Sequence, residues 1–80
     1  MDRAEVEKRV KKVVSQVLNV PESNIKPEHK FTADLGAASV QSLELVAGFE
    51  EEFDIEVDED EALSVQSVGD AVEFFVERLV

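Results

Sequence analysis

Apolar residues recur at helical spacing in three long segments of the chain. The first segment, roughly residues 3 to 18, carries a regular series of valines with Lys, Arg and Glu between them: Val6, Val10, Val13, Val14 and Val17. Such a stripe indicates an amphipathic helix. A second segment extends from about Ser39 to Phe53, and the third carries an apolar stripe after Ser67: Val68, Ala71, Val72, Phe75, Val76 and Leu79. The pattern predicts three main helices.

Residues with capping chemistry mark the ends of these segments. Asp2, three residues before Glu5, fits a capping box at the start of the first helix. Asn19 tolerates the left-handed conformation that ends many helices, and the residue before Pro21 disfavours the helical region. Ser67, three residues before Asp70, has the composition of an N-cap for the last helix.

The two longer connections contain further apolar residues. The first, residues 19–38, exceeds the usual length of a structureless loop, so we expect Ile25, Phe31 and Leu35 to anchor it. In the second connection, between Phe53 and Ser67, the sequence predicts a strand-like piece at Ile55 and Val57 and a short helical turn at 59–63. The sequence therefore predicts one all-α domain over residues 1–80, a small four-helix bundle of three main helices and one short helix.

The second helix has more apolar positions than one face needs. We expect an inward stripe on this helix, widened by Leu45 and Phe49. Its other members are Val40, Leu43, Val46, Ala47 and Phe53. The opposite side would then carry Gln41, Glu44, Gly48 and Glu51.

Charge restricts the partners. Nineteen acidic and eight basic residues among 80 give a formal charge of −11, which disfavours nucleic acid and anionic membranes and favours basic protein surfaces. From residue 31 to residue 77 there are fourteen acidic residues and no basic one. Electrostatically guided partners should therefore approach the middle of the chain. The first residues contain no apolar run of signal-peptide or membrane-spanning length, so we expect a cytoplasmic protein.

The composition offers little catalytic or metal chemistry. There is no Cys, and the single His29 lies among polar loop residues, where a surface position without a role is expected. Alternating acids at 54, 56, 58 and 60 suggest a calcium loop, but the position that requires Gly is Glu59, so we expect no metal site. The remaining aromatic residues are interpreted as core: Phe49, Phe53, Phe74 and Phe75.

Ser39 stands at the start of the second helix, behind the Gly36 turn. A serine there is most often an N-cap, whose hydroxyl accepts a hydrogen bond from a free backbone N–H. The same free N–H groups and the positive end of the helix dipole would also favour a phosphodiester attached to Ser39. No neighbouring side chain is a candidate base that would activate the Ser39 hydroxyl as a nucleophile.

The segments "DLGAASVQSLELV", "FEEEFDIEV" and "SVGDAVEFF" resemble the acyl carrier proteins over nearly the whole chain. This resemblance implies that Ser39 is the attachment point of a 4′-phosphopantetheine arm, loaded by a phosphopantetheinyl transferase and carrying acyl groups as thioesters. It implies recognition by basic partner enzymes, acyl-transferring enzymes and synthases, through Glu44, Glu50, Glu51 and Glu59. It also implies an acyl cavity formed by Phe31, Leu45, Val46, Phe49, Val57, Ala62, Val65, Ala71 and Phe74.

Three positions depart from the family pattern. The Asp expected before the serine is Ala38, the acid expected two places after it is Gln41, and Phe49 replaces an aliphatic residue of the cavity wall. These departures favour a specialised carrier rather than the housekeeping carrier of fatty acid synthesis. The resemblance implies a carrier, not an enzyme, of fatty acid, lipid or polyketide biosynthesis, and we expect it to be a free-standing monomer. Two alternatives stay open: a peptidyl or aminoacyl carrier, and an unmodified acidic adaptor.

Overall fold

A computed structural model describes residues 1–79 as a helical bundle in which α1 packs against both α2 and α4. The four α-helices of this part of the chain are α1 (Arg3–Leu18), α2 (Ser39–Phe53), α3 (Glu59–Ser64) and α4 (Val68–Leu79), and a short 3₁₀ turn covers Glu22–Asn24. Over residues 1–79 no strand forms, and the only β-type pairing there is an isolated bridge between Lys30 and Ser67. The predicted all-α four-helix architecture is confirmed.

The predicted helix caps are present. The Asp2 side chain accepts the Glu5 N–H at 2.8 Å, and Asn19 ends α1 at φ 56°, in the left-handed region. At the start of α4, the Ser67 hydroxyl accepts the Asp70 N–H at 3.1 Å. Asp54 ends α2 in the same left-handed conformation as Asn19, φ 54°. These local hydrogen bonds and turns explain why the helix boundaries could be located from sequence.

The core lies between the three long helices. Val6, Val10 and Val14 of α1 are fully buried, as is Val68 of α4. The apolar stripe predicted for α4 is confirmed, with Val68, Ala71, Val72 and Phe75 buried and Val76 and Leu79 half-buried. At Gly48 the two helices α1 and α2 come close, since a Cβ there would lie 2.8 Å from Val13 Cγ1.

The inward face predicted for α2 is partly wrong. Val40 and Leu43 are 67% and 71% exposed and Ala47 is exposed, whereas Leu45, Phe49 and Phe53 are buried. Gln41 and Gly48, predicted to face outward, are half-buried. Because Gly48 allows α1 to approach, the helix turns that side inward and leaves the Val40, Leu43 and Ala47 positions on the surface.

The long connection from 19 to 38 is anchored as predicted, with Ile25 and Phe31 buried and Leu35 half-buried. It also caps α4: the Pro27 carbonyl accepts the Gly69 N–H at 2.9 Å and the His29 carbonyl accepts the Val68 N–H at 3.0 Å. Two donors at the start of a helix, which have no partner within it, are thereby satisfied.

Three smaller expectations need correction. His29 is half-buried, and its Nδ1 accepts the Lys26 N–H at 3.2 Å, so it stabilises a turn of the connection. The strand-like piece expected at Ile55 and Val57 is a loop, although both side chains pack on the core. Phe74 is half-buried rather than core.

Candidate functional site

Ser39 is the first residue of α2, and its side chain is exposed. The preceding Ala38 takes the cap position with extended backbone, φ −77° and ψ 168°, but its methyl group cannot accept a hydrogen bond. The Gln41 Oε1 accepts the Ala38 N–H at 2.9 Å. Half of a capping box is therefore formed, and the half that needs a side-chain oxygen at position 38 is missing.

The first turn of α2 offers unpaired donors. The N–H groups at positions 39–41 have no carbonyl one turn earlier in a helix, and the Ser42 N–H is the first to bond back, to the Ala38 carbonyl at 2.9 Å. Within residues 1–79, no side chain accepts from these three N–H groups. An anion at Ser39 would therefore meet free N–H groups and the positive end of the helix dipole.

A short turn fixes where α2 begins. The Phe31 carbonyl accepts the Ala37 N–H at 2.8 Å, and the Asp34 carboxylate accepts the Lys30 N–H at 2.8 Å. Gly36 has φ +71°, a left-handed conformation that costs a glycine little. Ala37 is buried, so the chain is anchored on the core two residues before Ser39. The serine is thus exposed on a defined backbone.

A pocket of about 510 Å³ opens beside α2, between α3, α4 and the long connection. Eight of the nine residues expected at the acyl cavity line it: Phe31, Leu45, Val46, Phe49, Val57, Ala62, Val65 and Phe74. Ala71 does not; it is fully buried in the core, one turn before Phe75 on α4. Its expected place in the lining is corrected, because the inner face of α4 packs on α1.

The pocket also has lining residues that sequence reasoning missed. At its rim lie Ser42 and Leu43 of α2, Thr32 of the connection, and Leu63 of α3. Ser42 and Leu43 lie one turn after Ser39, which corresponds to roughly 4.5–6 Å along the helix axis. Their spacing from Ser39 could have identified Ser42 and Leu43, because a pocket reached from Ser39 needs residues of the next helical turn at its mouth.

Aromatic rings form the inner end of the pocket. The Phe49 ring lies 6.3 Å from the Phe31 ring and 5.5 Å from the Phe75 ring, centroid to centroid. Phe75 in turn stacks on Phe53 at 4.5 Å. Phe49 therefore belongs to both the core and the pocket wall.

The four acids expected to recognise partners differ in their surroundings. Glu44 and Glu51 on α2 and Glu59 at the start of α3 are exposed. Glu50 is half-buried, and its Oε2 accepts the Val57 N–H at 2.9 Å. Glu50 therefore stabilises the loop between α2 and α3, and the other three carboxylates are the ones open to solvent.

Several other acids are paired with cations from outside the acidic segment. Glu52 lies 3.2 Å from Lys12 Nζ and 3.6 Å from Arg9 Nη1, and Glu61 pairs with Arg78. Glu73 pairs with Arg3, whose hydrogen bond and charge hold the pKa of Glu73 below its ordinary value. The fold therefore brings cations from outside residues 31–77 to some of these acids, and none of the pairs named here involves Glu44, Glu51 or Glu59.

Two further features are absent from residues 1–79. That part of the chain contains no cluster of three or more His, Cys, Asp or Glu side chains placed to hold a metal ion. None of its helices is both long and apolar enough to span a membrane.

Comparison with known proteins gives three consistent findings. Residues 8–75 match the family model described as "Phosphopantetheine attachment site". The chain is 46% identical over 76 residues to an acyl carrier protein from Phenylobacterium zucineum (strain HLK1), covering 95% of this chain and 96% of that protein.

The third finding concerns the fold alone. A solved structure of a candidate acyl carrier protein from Mycobacterium tuberculosis superposes with a TM-score of 0.85 at 23% identity, covering 92% of this chain and 99% of that one. The family match over most of the chain and the identity to a full-length relative lead to one conclusion: this chain belongs to the phosphopantetheine-binding family of acyl carrier proteins, which are carriers and not enzymes.

Proposed function

We propose that Ser39 carries the 4′-phosphopantetheine of this acyl carrier. The observation that supports this assignment is an exposed hydroxyl on the first residue of α2, above a turn of free N–H groups. During loading, Ser39 Oγ attacks the phosphorus that bears pantetheine in coenzyme A. A new P–O bond forms, adenosine 3′,5′-bisphosphate leaves with the electron pair, and the hydroxyl proton passes to a base of the transferase. The arm supplies the thiol that this Cys-free chain lacks, and holds acyl groups as thioesters.

The chain's own contribution at Ser39 is electrostatic and positional. The phosphodiester bears one negative charge next to the N–H groups of 39–41, where the helix dipole favours an anion by about 0.3–1 kcal/mol. The Ala37 anchor and the Gly36 turn keep the hydroxyl on the surface, where a transferase can reach it. The neighbouring residues Ala38, Val40, Gln41 and Ser42 include no basic side chain, so we infer that activation comes from the transferase.

We propose that the 510 Å³ pocket shelters the acyl chain. Its size lies within the range of roughly 300–1,000 Å³ usual for small-molecule sites. Its wall is mainly apolar, and its rim residues Ser42 and Leu43 lie one turn from Ser39. A chain entering there would leave water for contacts with Phe31 and Phe49, while the thioester stays near the rim.

We propose Glu44, Glu51 and Glu59 as the partner-recognition acids, with Glu50 contributing charge from a half-buried position. Their partners would be the transferase and acyl-transferring or synthase enzymes with basic surfaces. Self-repulsion at a net charge of −11 favours a monomer. Because disulfides are typical of small proteins in oxidising compartments, the absence of Cys agrees with a location in the cytoplasm.

Ala38 and Gln41 leave the start of α2 without the two acids common in the family. We propose that the carrier serves a dedicated transferase or pathway whose surface does not require those charges. The amide of Gln41 keeps one role of an acid, because it still accepts the Ala38 N–H.

Loading with coenzyme A tests the assignment of Ser39. A broad-range phosphopantetheinyl transferase should add one phosphopantetheine to the wild type and to Ser42→Ala, and none to Ser39→Ala. Ser42→Ala is the matched control, because it removes a hydroxyl one turn away on the same helix. Loading of Ser39→Ala would overturn the assignment, and failure of every variant with both broad-range and host transferases would favour an unmodified adaptor.

A further inference from the structure

The short helix α3 forms a wall of the pocket but has little to hold it there. It supplies Glu59, Ala62 and Leu63 to the lining. Within Glu59–Ser64 no residue is buried, and Leu63 is 71% exposed. Burial of apolar surface therefore fixes α3 far less firmly than it fixes α1 or α4.

Polar contacts through one carboxylate replace that missing burial. Glu61 Oε1 accepts the Asp58 N–H at 3.2 Å and so closes the N-terminal turn of α3. Its other oxygen, Oε2, pairs with Arg78 Nη2 of α4. Glu61 therefore both closes the first turn of α3 and attaches α3 to α4.

Arg78 is itself held against the pocket wall. Its guanidinium carbon lies 3.7 Å from the centroid of the Phe74 ring, and its Nη1 donates to the Phe74 carbonyl at 3.3 Å. Phe74 lines the pocket. A planar guanidinium can stack on an aromatic face and bind a carboxylate at once, which a lysine ammonium does less well. Glu61, Arg78 and Phe74 form what we name the α3 clamp.

We propose that Arg78 is a positioning residue that biases α3 toward its place as the outer wall of the pocket and so sets the length of acyl chain sheltered there. The part of this inference that concerns cargo rests on the proposed function of the pocket. Both charged side chains are about one-third exposed, so the clamp biases the position of α3 and does not lock it. Without the clamp, α3 moves outward more often and the pocket widens at its mouth.

The first test uses the unmodified protein and involves no cargo. Hydrogen exchange of the α3 amides should be about two- to fivefold faster in Arg78→Gln and Glu61→Gln than in wild type, the shift that an exposed ion pair supports. Gln at 61 keeps an oxygen for the Asp58 N–H, so the loss reports the ion pair. Arg78→Lys should recover part of the protection. Arg3→Gln is the control, since it breaks an ion pair between α1 and α4 that does not touch the pocket.

The second test uses the loaded protein. Saturated acyl chains of increasing length are placed on the holo-protein, and hydroxylamine cleavage of the thioester is timed. The chain length of greatest protection should increase in Arg78→Gln and stay unchanged in Arg3→Gln. Unchanged α3 exchange in Arg78→Gln would overturn the clamp, and faster exchange with an unchanged chain-length optimum would overturn its control of cargo. A wild type without any chain-length dependence would overturn the sheltering role of the pocket and the cargo part of this inference, while the exchange data would still decide the clamp.

Discussion

Helices α1 and α3 are held in the fold by different kinds of interaction. Val6, Val10 and Val14 of α1 are fully buried between α2 and α4, whereas no residue of α3, Glu59–Ser64, is buried. The side of the bundle that contains α1 is held by apolar packing, whereas α3, the outer wall of the pocket, is held by capping and ion pairs. The inner wall of the pocket belongs to the core, since Phe31, Leu45 and Phe49 are buried. Stability is therefore concentrated in the core, and the outer wall contributes little to it.

The largest expected effect tests whether stability resides in the core. Phe75 is 1% exposed and touches the Phe49, Phe53 and Phe74 rings. Phe75→Ala should lower the free energy of unfolding by about 3–5 kcal/mol, a large part of the ~4–12 kcal/mol typical for a domain of this size. Urea denaturation measures the change.

Leu63→Ala is the matched control on α3. Its side chain is 71% exposed, so the loss should stay within about 0.5 kcal/mol. Similar losses for the two variants would contradict this difference between the core and α3.

Ala38→Asp adds the capping oxygen that the start of α2 lacks. The new carboxylate can accept a free N–H of the first turn and lies at the positive end of the dipole, so we expect a stabilisation of about 1–2 kcal/mol and faster loading by a broad-range transferase. Ala38→Asn restores the oxygen without the charge and should give the larger part of the stability but not the faster loading. Thermal melts and loading rates separate the two contributions; equal melting temperatures for all three proteins would mean that the cap does not limit the helix.

Charge reversal on the exposed side of α2 should affect partners and not the fold. Glu44→Lys with Glu51→Lys is expected to slow association with the transferase about tenfold at low salt, because charge complementarity mainly accelerates encounter. Glu77→Lys on α4 is the control, an exposed acid whose reversal changes the net charge in the same direction. Stopped-flow association at several salt concentrations provides the comparison. Equal slowing by the control would show that net charge, rather than this face, guides encounter.

The smallest effect concerns the exposed Arg3–Glu73 pair, which lies away from the pocket. Its hydrogen bond and charge lower the pKa of Glu73 in the folded protein below the unfolded value, so the pair stabilises the fold above the unfolded pKa. That contribution is lost as the pH falls through the folded pKa. The melting temperatures of wild type and Glu73→Gln should differ slightly near neutral pH and converge in acid. A gap that widens in acid would contradict the sign.

The helix boundaries could be predicted because their signals are local. Asp2, Asn19 and Ser67 act on backbone groups a few residues away, and all three behave as expected. The inward face of α2 could not be predicted, because this helix is apolar on more than one side. The close approach of α1 at Gly48 and the contacts of Phe49 with Phe31 and Phe75 fix which side is buried, and these depend on how the helices pack.

Within the candidate site, the pocket lining could largely be anticipated from the family resemblance. What could not be anticipated was the pairing of distant charges. Glu61 and Arg78, which pair, are 17 residues apart in sequence. The paired side chains of Glu52 and Lys12 are separated by 40 residues. The order of charges along the sequence does not show which of them will pair, because the pairing depends on how the helices pack. The same holds for Glu50, whose bond to the Val57 N–H depends on how the loop after α2 folds back.

Mass spectrometry of the protein purified from its native host tests whether Ser39 bears the arm. We expect the peptide that contains Ser39 to carry an added mass equal to phosphopantetheine, alone or with an acyl group, and fragmentation to locate that mass on Ser39 rather than Ser42. A Ser39 peptide that is never modified, in protein that remains folded and abundant, would show that Ser39 does not bear the arm.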